Sequence, residues 1–233
     1  MSDPSSESIA RLLPDVPRWV EVRGMLLAGY GRAEWVDAGP PPSFVAFDPD
    51  SLAVVIGQPP DEVIRAAADR VREVLAAPEN VDRVAALLAD WKPEPAAIHV
   101  LHSDSRLPNV PDGSVREPSR AELEAVPEQE LREQLLSEVD AGTRIVAAYD
   151  AGVPAAFCYA ASATEEWWDI SIDTLETHRR RGHAARCVAF LIREMARRGK
   201  RPVWGAVESN VGSLGLAAKL GFRRVSTLYL LSR

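Results

Sequence analysis

Apolar positions along the chain alternate between strand-like runs and helix-like spacing, and turn residues punctuate them. Ser43–Phe47 and Leu52–Ile56 are short apolar runs on either side of Asp48-Pro49-Asp50, a pattern that predicts a hairpin. From Asp61 to Ala76, Val63, Ile64, Ala67, Val71, Val74 and Leu75 recur at helical spacing with Arg and Glu opposite. Pro59 and Pro60 precede this segment, Asp61 can cap it and Pro78 ends it, so the pattern predicts one helix over 61–76. A second amphipathic helix follows from about Val81 to Ala89, and Ala96–His102 reads as a strand. Trp19–Tyr30 fits a short helix or a strand, and the polar residues before about 15 are expected to fray. The stretch Leu107–Gly113, rich in Pro, Asn, Asp and Gly, reads as a boundary. Beyond it, Ser119–Asp140 is helical in composition, with Pro127 dividing it in two. Arg144–Tyr149 and Val153–Ala161 read as strands joined by Asp150-Ala151-Gly152, and Glu166–Thr174 as a third. His183–Arg198 is a helix with Gly199 at its end, Pro202–Val207 a strand, Val211–Leu220 a helix stopped by Gly221, and Arg224–Leu231 a strand.

This order predicts a mixed α/β protein in three parts: a polar tail over 1–14, a smaller α/β lobe over 15–108 and a larger α/β domain over 109–233. Composition narrows what it does. The chain has 233 residues and a formal net charge of −7, which argues against coating nucleic acid or an anionic membrane. No run reaches the length of a membrane span, and Met1–Glu7 lacks the basic and apolar regions of a secretory signal, so the expected location is cytoplasmic. Cys158 and Cys187 each lie in apolar stretches, and His99, His102, His178 and His183 form no metal-ligand pattern; no metal is expected.

Against the acidic whole, His178 to Arg201 holds nine Arg or Lys residues and one acid, Glu194. A solvated helix face accounts for many such runs. Here the run opens with Arg179-Arg180-Arg181-Gly182-His183-Ala184, between the strand ending at Thr174 and the helix starting at His183. A strand, a tight turn with small residues and a helix N-terminus aim several backbone N–H groups at one point, with the helix dipole behind them. Gly182 lets backbone approach an oxygen without a Cβ in the way, and Ala184 is nearly as small. The arrangement suits a diphosphate.

Arg179-x-x-Gly182-x-Ala184 resembles the acyl-CoA pyrophosphate motif of the GNAT superfamily of N-acetyltransferases, Gln/Arg-x-x-Gly-x-Gly/Ala. Glu208-Ser209-Asn210 through Lys219-Leu220-Gly221-Phe222 is similar to that family's strand–Asn–helix–Lys-Leu-Gly-Phe segment, in the family's order and spacing. The resemblance covers about Gly113 to Arg233. It implies a mixed sheet that splays open between its fourth and fifth strands, with acetyl-CoA as cosubstrate in the opening. It implies that Ile172, Asp173 and Thr174 pair with the pantetheine arm, that Arg179, Arg180, Arg181, Gly182, His183 and Ala184 form the diphosphate turn, and that Asn210 and Ser213 contact the pantetheine or the turn beneath it. The implied reaction is acetyl transfer to a primary amine, with a small-molecule acceptor. The 15–108 lobe resembles the degenerate GNAT-like halves of two-lobe members; after Val54-Val55-Ile56-Gly57 it has Gln58-Pro59-Pro60 in place of the motif, so it is expected to bind no CoA and to shape the acceptor pocket or a homodimer contact.

One departure stands out. The tyrosine that the family often carries four residues before the Gly-Phe pair is Ala217 here. Tyr159 and Tyr229 are the remaining candidates for an acid; otherwise the thiolate leaves unassisted, which its pKa of about 8.5 permits. Asp169 on the fourth strand and Glu208 at the end of the fifth are the candidate bases, acting directly or through water. Arg180 and Arg181 are candidate phosphate contacts or solvated side chains, and Trp167 and Trp168 alternate across their strand, as core or as one wall of an acceptor pocket. The missing tyrosine leaves an alternative open: a non-catalytic acyl-CoA-binding sensor or interaction protein with the same fold.

Overall fold

The computed structural model describes residues 5–233. In the first half of the chain come α1 (Ser6–Ala10), α2 (Val20–Ala28), β1 (Arg32–Asp37), β2 (Ser43–Asp48), β3 (Leu52–Ile56), α3 (Asp61–Ala68), β4 (Glu73–Ala76), α4 (Val81–Leu87) and β5 (Lys92–Leu101). The second half contributes β6 (Val115–Arg116), α5 (Arg120–Glu124), α6 (Gln129–Asp140), β7 (Val146–Asp150), β8 (Val153–Ala163), β9 (Trp167–Thr174), α7 (His183–Arg197), β10 (Arg201–Val207), α8 (Val211–Leu220) and β11 (Phe222–Ser232).

These strands form one mixed sheet in the order β1-β2-β3-β4-β11-β5-β10-β9-β8-β7-β6. The halves interleave at its centre. β5 is antiparallel to β10 on one side and β11 on the other, and β11 in turn pairs with β4. Pro93 and Pro95 are tolerated in this central strand because β10 has ended there: its last pair is Val207↔Ala96. The carbonyl of Pro95 accepts from Glu208 N at 2.8 Å, so its ring nitrogen faces the same side, past the ladder, where no donor is needed.

The feature that positions the site is the parallel β9–β10 ladder. It consists of Arg201↔Trp167, Pro202↔Trp168 and Val203↔Asp169 and then stops, although β9 runs on to Thr174 and β10 to Val207. β9 stays with β8 as far as Ala156↔Thr174 while β10 stays with β5, so the sheet parts in a V just past Asp169. Alternation along β9 sends Trp168 and Ile170 into a core with Val188, Leu191 and Ile192 of α7 and Leu220 of α8. Trp167 goes to the opposite face, among Ile9, Leu13, Val22 and Met25. Both tryptophans are thus core. On that second face, farther along the sheet, α5 and α6 cover Phe157 and Tyr159 with Leu123, Leu131 and Leu135.

Two expectations change, and one strand is added. The helix predicted over 61–76 ends at Ala68; Glu73–Ala76 is β4, parallel to β3 from Leu52↔Glu73 to Val55↔Ala76. Val74 and Leu75 fit helical spacing and a short buried strand equally, and the pairing edge of β3 decides between them. The N-terminal segment expected to fray instead buries Ile9, Ala10 and Leu13. Buried Arg23 holds it in place, donating to the carbonyls of Ala10 at 2.7 Å and Leu13 at 2.5 Å and to Glu165 Oε2 at 2.5 Å. β1, which the sequence does not announce, is a half-exposed edge strand. Trp19–Tyr30 resolves as helix α2, closed by left-handed Gly29.

Candidate functional site

β9 leads through residues 175–182 into α7, and this crossing has the geometry of an anion cradle. Arg180 (φ 61°) and Gly182 (φ 83°) are both left-handed. Among the described residues, the N–H groups of Arg180, Arg181 and Gly182 make no backbone hydrogen bond, and the first intrahelical bond of α7 is Arg186 N to Gly182 O at 3.2 Å. The N–H groups from 180 to 185 are therefore free of backbone partners at the positive end of a helix. A Cβ on Gly182 would meet only the Arg186 guanidinium, at 3.6 Å, so glycine is required there for its conformation and not for space.

A cleft of about 1270 Å³ opens from this turn along the V of the sheet. Ile172, Asp173 and Thr174 of β9 line it, with Arg179, Arg180, Gly182, His183 and Ala184 of the turn and Asn210 and Ser213 of α8. α6 and the residue before it add Glu128, Glu130 and Glu133 to the lining, and Glu128 Oε1 accepts from Glu176 N of the crossing at 2.8 Å. The cleft thus carries both acidic and basic side chains. Asn210 caps α8 by accepting from Ser213 N at 3.0 Å. The Ser213 hydroxyl accepts from Trp204 Nε1 at 2.9 Å, which leaves its own proton free for the cleft.

Of the proposed turn residues, Arg181 alone lies off the cleft lining. Its guanidinium pairs with Asp150 Oδ2 at 2.6 Å, at the end of β7. The guanidinium of Arg186 lies 2.9 Å from His183 Nδ1 and can only donate, so that nitrogen accepts and the ring proton sits on Nε2. His183 is 4% exposed, and its Nε2 has no hydrogen-bond partner. Burial, then Arg186, lower its pKa, with Asp150 opposing them.

The acid–base candidates fall elsewhere. Asp169 occupies the vertex of the V and, like Glu208 and Tyr229, does not line the cleft; its Oδ1 is out of contact with solvent and unpartnered. Burial drives its pKa well above the ordinary value of an aspartate, and Glu21 of α2 adds to the shift, while the N–H groups of Ile170 and Gly205 pull it back in part. Glu208 is exposed, bonded to Arg224 at 2.8 Å, and does not line the cleft. Tyr159 is buried beneath α6, where Gln134 Nε2 donates to its hydroxyl at 2.7 Å; burial raises its pKa. Tyr229 pairs with Ala76 and Pro95 on β11, away from the cleft lining. Ala217 is wholly buried in the core that contains Trp204 and Phe222. Sequence reasoning did not single out Glu21 or the α6 acids, which gain meaning only when α2 and α6 are laid on β9. Asp150 read simply as a turn residue.

Among the described residues no helix is long and apolar enough to cross a membrane. A family model of the GNAT acetyltransferases matches residues 141–231. No curated protein matches the chain. Its fold is similar to that of a GCN5-related N-acetyltransferase-like protein from Streptococcus suis, at TM-score 0.70 and 20% identity over 98% of each chain. It is also similar to an acetyltransferase of the GNAT family from Colwellia psychrerythraea, at TM-score 0.60 and 13% identity over 100% of this chain and 98% of that one. A tandem GNAT protein from the clavulanic acid biosynthesis pathway has TM-score 0.59 and 15% identity over 100% of this chain and 95% of its own. Residues 141–231, which span β7 to β11, thus match the GNAT acetyltransferase family, and the chain over nearly its whole length has the fold of these proteins.

Proposed function

We propose that the protein transfers an acetyl group from acetyl-CoA to a primary amine of a small molecule. The observation that carries this reading is the coincidence of two openings: the β9–β10 ladder ends at Val203↔Asp169, and the unbonded N–H groups of the following turn face the same cleft. A diphosphate on the turn from Arg179 to Ala184 directs the pantetheine arm along Ile172–Thr174 toward the vertex. Backbone N–H groups of β9 that have lost their β10 partners polarise the thioester carbonyl there without reorganising. The acceptor ammonium first gives one proton, through a water, to Asp169; the freed amine nitrogen attacks the carbonyl carbon, the C–S bond breaks, and the departing CoA thiolate takes the second N–H proton. Asp169, with a raised pKa, is a stronger base than an ordinary carboxylate where it is ionised. The acidic side chains of Glu130 and Glu133 in the lining suit an acceptor that arrives as an ammonium ion.

The first half of the chain supports a role other than CoA binding. Its parallel β3–β4 ladder stays paired up to Val55↔Ala76 and does not splay. The position matching the cradle is filled by its own side chains: Arg83 donates to Pro59 O at 2.6 Å and Gln58 Oε1 at 3.0 Å and pairs with Asp61. A Cβ on Gly57 would lie 2.3 Å from Pro42 O, so the turn is already closed by backbone. We therefore assign residues 15–108 to the acceptor side, packed through α2 against β8 and β9, and residues 109–233 to acyl-CoA.

The second reading, an acyl-CoA-binding sensor, rests on the absence of any tyrosine from the cleft lining. One experiment separates the two: calorimetric titration with acetyl-CoA, followed by an amine panel read by thiol release. Binding with thiol release establishes the transferase, binding without release establishes the sensor, and no binding overturns both.

A further inference from the structure

The turn from His178 to His183 is held by very little of its own backbone. Two left-handed residues, Arg180 and Gly182, bracket Arg181, and one of them carries a full side chain. The N–H groups of Arg180 to Gly182 have no backbone acceptor among the described residues, which is what makes them useful to a ligand and also what leaves the turn unsupported. Its support comes from outside. Asp150, at the tip of the β7–β8 hairpin, places Oδ2 at 2.6 Å from Arg181 Nη1, 3.7 Å from His178 Nε2 and 3.8 Å from His183 Nε2. The carboxylate is itself three-quarters buried and is carried by a hairpin whose register is fixed by Tyr149↔Pro154 and Asp150↔Val153. The other side-chain bond from this turn to the β9 backbone is the longer one from Arg179 Nε to Thr174 O, at 3.4 Å.

We propose that Asp150 is a positioning residue for the diphosphate turn: one carboxylate gathers Arg181, His178 and His183 and thereby fixes the backbone N–H groups between them in the geometry that receives a diphosphate. This rests on the acyl-CoA reading above. Asp150 does not line the cleft and touches no ligand in this scheme. It also explains why Arg181, third in a row of arginines, points away from the cleft while Arg180 lines it.

Electrostatics alone makes the opposite forecast, which renders the proposal testable. Removing an acid beside a basic turn raises the positive potential there, so a pure field effect tightens a polyanionic ligand. Loss of positioning weakens it. The test compares the parent with Asp150→Asn and Asp150→Glu, using CoA and S-acetylpantetheine, which has the same arm without the diphosphate. The expected result for Asp150→Asn is a Kd for CoA about tenfold higher, the size of one lost charge-assisted hydrogen bond, with S-acetylpantetheine unchanged. Asp150→Glu restores part of the affinity, and adding Arg181→Gln to Asp150→Asn costs nothing further because both act through one contact. Amide exchange at residues 180–184 in the ligand-free protein rises in Asp150→Asn. Unchanged or tighter CoA binding by Asp150→Asn overturns the proposal, as does equal weakening of both ligands. Failure of the parent to bind CoA overturns the acyl-CoA reading instead, and unchanged amide exchange then overturns the hold on the turn as well.

Discussion

Replacing Glu21 by glutamine stabilises the protein at neutral pH, and the gain shrinks as the solution is acidified. Glu21 lies in the first turn of α2, close enough to the vertex of the V to raise the pKa of Asp169. Burial, with a further push from Glu73, raises its own pKa from 4.5 to about 6. The folded protein therefore holds this proton more tightly than the unfolded chain does. Below pH 4.5 both states are protonated and the carboxyl costs nothing. Between 4.5 and about 6 the unfolded chain ionises first, and above about 6 the folded state carries a partly buried carboxylate that unfolding would hydrate. The cost is then below about 1 kcal/mol at pH 5 and about 2 kcal/mol at pH 7, and it is level above that. Glutamine keeps the size and polarity of the side chain and cannot ionise. Urea unfolding of parent and Glu21→Gln at pH 5, 6, 7 and 8 reads the difference directly. A gain that rises by about 1 kcal/mol from pH 5 to pH 7 is expected. A gain that is the same at every pH, or that falls as pH rises, refutes the reasoning.

Other perturbations have outcomes of different kinds. Asp169→Asn lowers kcat on the order of a hundredfold or more and removes the rising limb of the pH–rate profile, while the Kd for CoA measured by calorimetry stays within a few-fold of the parent's. Gly182→Val forces a β-branched residue to a φ of 83° and raises the Kd for acetyl-CoA by about tenfold, with the far-ultraviolet circular dichroism unchanged. Arg23→Met leaves Glu165 unpaired and strips the donors from Ala10 and Leu13; a loss of about 3 kcal/mol in chemical denaturation is expected, together with faster proteolysis before Asp15.

The second half of the chain was far more legible than the first, for a physical reason. Its strands and helices are long, strongly periodic and closed by glycines in left-handed caps, such as Gly221 after α8, so local signals and tertiary structure agree. The turn between β9 and α7 is a local object too, and Arg179, Gly182 and Ala184 could be read off a short window. In the first half, β4 has four residues and owes its existence to the exposed edge of β3, which no window around residues 73–76 contains. β1 is half-exposed and carries no alternating apolar pattern. The acid–base side was illegible for a related reason. Asp169 gains its environment from Glu21 almost 150 positions away and from the end of the β9–β10 ladder, and Asp150 gains its role from three side chains across a crossover. Tyr159 looked available as a free hydroxyl but is covered by α6.

The exchange of β5 and β11 between the halves has a consequence for how the protein is made. β11, formed by residues 222–232, is the partner of both β4 and β5, which leave the ribosome more than a hundred residues earlier. Until β11 emerges, a nascent chain has two β-edges facing a gap one strand wide, and the first half cannot complete its sheet with residues of its own. Folding of that half therefore waits for β11, and the edges on either side of the gap are where a stalled or prematurely ended chain becomes sticky. The same strand ties the two halves together: no cut in the connecting segment, residues 102–114, yields two pieces that each hold a whole sheet.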